Sequence, residues 1–111
     1  MEGGKMDWKA TESADGKSVE VRIRGECDLY GAPAFTKTMI AGIGRGWREV
    51  VLDCTELSYL DSTGVGSFIR VLQELRKVGG RMGSRGVGGA PRKVLTMSNI
   101  LPLLNEEKTG R

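Results

Sequence analysis

Two periodicities divide the apolar positions of this chain, and their order sketches an architecture. Val19, Val21 and Ile23 alternate with Glu20, Arg22 and Arg24, the pattern of a strand with one buried and one wet face. With residues 6 to 12 on the other side of Asp15-Gly16, this predicts an antiparallel hairpin. Phe35, Met39 and Ile43 recur at four-residue spacing behind Pro33, which predicts a helix from Ala32 to Ile43 with the proline in its first turn. Gly42, Gly44 and Gly46 are read as its end. Glu49 to Asp53 is a short apolar run suited to a buried central strand. The strongest helical pattern covers residues 62 to 78, where Val65, Phe68, Ile69, Leu72, Leu75 and Val78 recur at three- and four-residue steps before Gly79-Gly80 stops them.

The remainder reads less clearly. Residues 81 to 87 hold Arg81, Gly83, Arg85 and Gly86 where a buried strand wants Val and Ile, so an edge strand with one solvated face is expected there. Ala90 to Met97 reads as a helix, Asn99 as its cap, Ile100 to Leu104 as a last apolar turn, and Asn105 to Arg111 as a polar tail. Strands alternating with helices predict an α/β fold: a mixed, mostly parallel sheet of four to five strands with an N-terminal antiparallel hairpin, covered by about four helices. The 111 residues make one domain, with a core at about residues 6 to 104.

Composition narrows the chemistry. The chain has no His, so the commonest general base and metal ligand are missing; it also lacks paired catalytic carboxylates on one element and a phosphate-cradling loop. No catalytic residue, metal or cofactor is therefore expected. Cys27 and Cys54 form no CxxC pair and suit a reducing compartment. The opening residues lack a secretory apolar run, and no window is long enough to span a bilayer, so a cytoplasmic protein without membrane insertion is expected. Between Glu74 and Glu106 every charge is basic, from Arg76, Lys77, Arg81 and Arg85 to Arg92 and Lys93. Stacking aromatics are absent from this stretch, which argues for a solvated or partner-facing surface over direct nucleic-acid binding.

In α/β sheets of this kind, functional loops lie beyond the carboxyl ends of the strands, here after Gly25 and after Asp53. The second leads through Asp61-Ser62-Thr63-Gly64-Val65-Gly66 into the strongest helix. Asp61 and Ser62 suit a helix start as caps, and a capping role alone would account for them. Gly64 and Gly66 need more explanation, since each costs about 1 kcal/mol against Ala inside a helix. Close approach by another backbone or by a partner would supply it.

This run resembles the signature of the STAS domain, the bacterial anti-sigma factor antagonist family: an apolar strand ending in Asp or Asn, a spacer, then Asp-Ser-x-Gly-x-Gly and a helix. Gly25-Glu26-Cys27-Asp28 resembles the family's Gly-Glu-apolar-Asp, and Gly79-Gly80 its helix-ending pair. The resemblance implies a partner-switching phosphoprotein in transcription regulation. Unphosphorylated, it would bind an anti-sigma factor that is also a serine kinase and so free a sigma factor. Phosphorylation at Ser62 would abolish binding, and a metal-dependent serine phosphatase would reset it. Asp28, Tyr30, Asp61, Ser62, Thr63, Gly64 and Gly66 are the expected partner-binding residues. Thr63 is a second available hydroxyl. The alternative keeps the fold but makes the chain a STAS subunit of a membrane lipid-transport ATPase, or a scaffold, with a structural Ser62.

Overall fold

Asp15 closes the first hairpin by accepting hydrogen bonds at Oδ1 from the Ser13 hydroxyl (2.7 Å) and the Lys17 amide (2.9 Å), while Gly16 takes φ +73°. These bonds, Ser13's foremost, hold the Asp15 carboxyl below its usual range. Strand β1 (Met6–Glu12) thereby pairs antiparallel with β2 (Ser18–Cys27), from Met6 opposite Gly25 to Glu12 opposite Val19. The structure, a computed structural model, describes residues 5–107.

Helix α1 (Ala32–Arg45) buries Phe35, Met39 and Ile43, as their spacing predicts. Gly42 and Gly44 lie inside it, correcting the expectation that all three glycines end it. Gly42 is needed there because the Trp47 ring packs against its Cα where a Cβ would stand. Termination falls to Gly46, at φ +130°, whose N–H donates to the carbonyls of Gly42 and Ile43.

Strand β3 runs from Glu49 to Leu60, well past the expected Asp53. It pairs parallel with β2 through two irregularities, each giving β3 one extra residue, and ends with Leu60 beside Cys27. Helix α2 (Ser62–Lys77) follows, then β4 (Arg81–Arg85), helix α3 (Gly89–Met97), a 3₁₀ turn (Leu101–Leu103) and β5 (Asn105–Glu107). Gly79, at φ +77°, closes α2: its N–H reaches the Arg76 carbonyl and that of Gly80 the Leu75 carbonyl, the paired C-terminal bonds of a Schellman motif.

The strands form one sheet in the order β1-β2-β3-β4-β5, antiparallel at the hairpin and parallel elsewhere. The mixed, mostly parallel architecture is the one expected. Among the described residues there are three α-helices instead of about four, because the last apolar turn, carrying Pro102, stays a single 3₁₀ turn. The expected edge position of β4 is also corrected. The start of the presumed tail adds as β5, with Gly83 opposite Asn105, so β4 is internal and Met82, Gly83 and Ser84 are buried.

Val19, Val21 and Ile23 of β2, Val50, Leu52 and Cys54 of β3, and Met82 of β4 join the helices' apolar residues in one core. Phe35 of α1 contacts Trp8 edge-on at 5.5 Å and Phe68 of α2 at 6.2 Å between ring centroids, which ties both helices to the hairpin. The alternating positions carry charge instead. Arg22 and Arg85 pair with Asp53, Arg85 also with Glu20, and Arg81 with Glu49.

Candidate functional site

At the carboxyl end of the sheet, two chain junctions lie side by side. The Asp61 amide donates to the Cys27 carbonyl (3.3 Å), stitching the end of β3 to the end of β2. Each junction is then shaped by one aspartate. Asp61 has extended backbone and accepts the Gly64 amide at Oδ1 (2.9 Å), while its carbonyl receives the Val65 amide (2.9 Å). It is the N-cap of α2, and Ser62 is the first helical residue. Asp28 is 8% exposed and shapes the turn that leads into α1: its Oδ1 accepts the amides of Tyr30 (3.0 Å) and Gly31 (3.1 Å), and its carbonyl that of Ala32, while the N-cap itself is Gly31.

Beneath both aspartates lies Cys27, fully buried. Burial pushes its thiol up to about 11; Ser67, with Oγ 3.9 Å from the sulfur, counters in part, and the charges of Asp61 and Asp28 raise it further. Both carboxylates are thus close enough to act on one sulfur atom. Ser67 is itself anchored, donating to the Gly64 carbonyl at 2.7 Å.

The two glycines of the motif serve different ends. A Cβ on Gly64 would collide with the Cys27 carbonyl oxygen, stand 2.6 Å from Leu60 Cδ1 and 3.0 Å from the Cys27 sulfur. Gly64 is buried and lets the helix start sit directly on β2. Gly66 is exposed, with nothing within 4 Å of a would-be Cβ. Ser62 and Thr63 are exposed as well. The chain segments that lead into the two junctions also expose large apolar side chains: Leu29 (55% exposed), Tyr30 (64%) and Tyr59 (47%).

Of the residues singled out in the sequence, the structure therefore gathers all seven at one end of the sheet, four of them exposed (Tyr30, Ser62, Thr63 and Gly66) and Asp28, Asp61 and Gly64 shaping the backbone beneath. Leu29 and Tyr59 were missed. Adjacency to Asp28 and Asp61 was the available signal, but exposure is invisible in a sequence where apolar side chains are by default core. Among the described residues no cluster of three or more His, Cys, Asp or Glu is placed to hold a metal ion. No helix among them is long and apolar enough to cross a membrane.

Fold and site define a small α/β domain that presents an exposed serine at a capped helix start, with water-facing tyrosines on the adjoining chain segments. The chain belongs to the STAS domain family: residues 10–104 match the family model described as "Mlab, STAS domain". It is similar to an anti-sigma-B factor antagonist of Staphylococcus aureus, 29% identical over 72 residues, which cover 65% of this chain and 67% of the relative. Among solved structures it is similar to the anti-sigma factor antagonist SpoIIAA in its unphosphorylated form, at TM-score 0.81 and 24% identity over 93% of this chain and 90% of that one. The phosphorylated form of SpoIIAA, a Bacillus cell fate determinant, aligns at TM-score 0.73 and 23% identity over 93% of each chain.

Proposed function

We propose that this chain is an anti-sigma factor antagonist that works by partner switching in the cytoplasm. Unphosphorylated, it binds an anti-sigma factor that is also a serine kinase and so releases a sigma factor; phosphorylation at Ser62 ends binding, and a metal-dependent serine phosphatase restores it. The observation that carries the reading is Ser62 itself, exposed at the first position of α2 on a backbone fixed from below by Asp61, Gly64 and Cys27. The S. aureus relative and the two forms of SpoIIAA support it.

The physics fits a surface switch. A phosphate adds about −1.5 to −2 charges at pH 7. At a helix N-terminus the dipole and unpaired amides tolerate that charge, so α2 persists. What changes is the surface at the helix start: bulk and negative charge arrive at Ser62, beside the Asp61 carboxylate that caps the helix. A partner surface that excludes water there must then desolvate a dianion, which costs several kcal/mol.

The test uses Ser62→Ala and Ser62→Asp proteins as baits in lysate of the native host with ADP present, with retained proteins identified by mass spectrometry. Retention of a small kinase-like ATPase by the Ala bait alone is expected. Equal retention of that ATPase by both baits, or of a membrane transport ATPase by both, would overturn the switch.

A further inference from the structure

The fold accounts for Gly64 but not for Gly66. Gly66 is the fifth residue of the 16-residue helix α2, and its φ is negative, so no left-handed backbone requires glycine there. A Cβ on it would meet nothing within 4 Å, so no neighbour among the described residues requires glycine either. Glycine weakens a helix interior relative to alanine, and no contact among the described residues offsets that. Gly44 of α1 has the same open space but stands next to last in its helix, where the chain is leaving it and the penalty is small.

The surface around Gly66 is uncharged. Ser62, Gly66, Ile69 and Gln73 follow at steps of four, three and four residues, which makes one row along the helix, and all four are exposed. At about 100° per residue, Gly66 stands opposite the middle of the buried set that runs from Gly64 through Phe68 to Leu75. From Ser62 to Gln73 the only charge is Arg70, which is paired with Glu74 at 3.3 Å; Lys77 also holds Glu74, at 3.0 Å. Ile69, 36% exposed, places a large apolar side chain one turn beyond the glycine. A kinase that phosphorylates Ser62 must seat on that residue, and neighbours four apart on a helix lie about 5–6 Å from each other. A usual protein footprint of about 800 Å² a side therefore reaches past Gly66 to Ile69.

Resting on the function proposed above, we infer that Gly66 is a docking notch for the anti-sigma factor. One apolar side chain of that partner seats on the Gly66 Cα between Ser62 and Ile69, as a knob enters a hole between packed helices. Alanine would fill the notch. The glycine persists at the expense of the domain's own stability because the complex uses the space. Phosphate on Ser62 then lands on the rim of the notch, where the seated side chain excludes water.

The test takes the ATPase retained by the Ser62→Ala bait, purifies it, and titrates it with ADP present into the parent, Gly66→Ala, Ile69→Ala and Gly44→Ala proteins by calorimetry, with melting curves in parallel. Gly66→Ala is expected to melt above the parent and to bind at least tenfold more weakly. Ile69→Ala should bind at least threefold more weakly. Gly44→Ala, on the other helix, should bind as the parent does, which separates loss of the notch from a general effect of stiffening the domain. Parent-like binding by Gly66→Ala or by Ile69→Ala, or an equal loss in Gly44→Ala, would overturn the notch and leave the Ser62 switch standing. A Gly66→Ala protein that melts below the parent would also overturn it, by showing that the fold itself needs the glycine. If the Ser62→Ala bait retains no ATPase, the switch falls and the notch falls with it.

Discussion

Two Gly→Ala substitutions two residues apart should have opposite signs. At Gly64 the new methyl meets the Cys27 carbonyl oxygen, Leu60 Cδ1 at 2.6 Å and the Cys27 sulfur at 3.0 Å. The carbonyl is main chain at the end of a sheet strand and also receives the Asp61 amide, so it cannot yield without loosening β2 from β3. Overpacking of this kind costs about 1–3 kcal/mol. The helix-propensity gain of up to about 1 kcal/mol is reduced here, because Gly64 lies in the first turn, where helical constraint is weakest. A net loss of about 1–2 kcal/mol follows, or about 4–8 °C in melting temperature for each kcal/mol in a domain of this size. At Gly66, two residues further in, the methyl meets nothing within 4 Å, and Ala should stabilise by about 0.5–1 kcal/mol. Urea unfolding followed by circular dichroism, with slopes compared to exclude changes in the unfolded state, measures both. A Gly64→Ala midpoint at or above that of the parent protein, or a Gly66→Ala loss as large as the Gly64→Ala loss, would refute the reasoning.

Three further outcomes follow from the same geometry. Asp61→Ala should lose about 1 kcal/mol with the Gly64 bond, whereas Asp61→Asn, also a good cap, should lose little; equal losses in denaturant midpoint would mean that charge and not the cap matters. Ser84 is fully buried and its hydroxyl has no hydrogen-bond partner among the described residues, so Ser84→Ala should raise stability by about 1 kcal/mol, and a comparable loss on thermal melting would contradict this. Burial raises the thiols of Cys27 and Cys54 from 9.0 to about 11 and about 12. Between pH 9 and those values the unfolded chain therefore binds fewer protons than the folded one, and stability falls as pH rises through that window. Denaturant midpoints from pH 8 to 11 should decline less steeply in a Cys27→Ala, Cys54→Ala protein; parallel curves would show that the thiols contribute nothing.

What the sequence revealed and what it concealed divide along a physical line. Elements whose side chains alternate against a single core were legible: Val19, Val21 and Ile23 in β2, and the run from Val65 to Leu75 in α2. The second half of β3 was not. There Cys54, Leu57 and Leu60 are buried at every third position, a period that belongs to neither strand nor helix, because each bulge inserts a residue against β2. Strand β5, Asn105–Glu107, pairs through its backbone and carries no apolar pattern. Its presence turns β4 from the expected edge into an interior strand. Within the site, the capping role of Asp61 and the place of Ser62 at the helix start were legible, whereas the burial of Asp28 and the exposure of Leu29 and Tyr59 depend on how the two junctions meet.

That meeting explains why a phosphoserine at this place would act on binding and leave the fold in place. Among the described residues, the hydrogen bonds and close contacts that fix the start of α2 are made by atoms other than the Ser62 side chain: the Asp61 carboxylate on the Gly64 amide, the Asp61 amide on the Cys27 carbonyl, the Gly64 Cα against β2, and Ser67 on the Gly64 carbonyl. Folding free energy resides below the helix start, and the hydroxyl proposed for phosphorylation lies above it. The cap at risk from a neighbouring phosphate is worth about 1 kcal/mol, a small fraction of the roughly 5–15 kcal/mol typical of a domain. An interface seated over Leu29, Tyr30 and Tyr59 has no such reserve, since each 1.4 kcal/mol there is tenfold in affinity. One modification of a few kcal/mol can therefore leave the domain folded and shift a binding equilibrium by several orders of magnitude. That asymmetry is what the proposed switch requires.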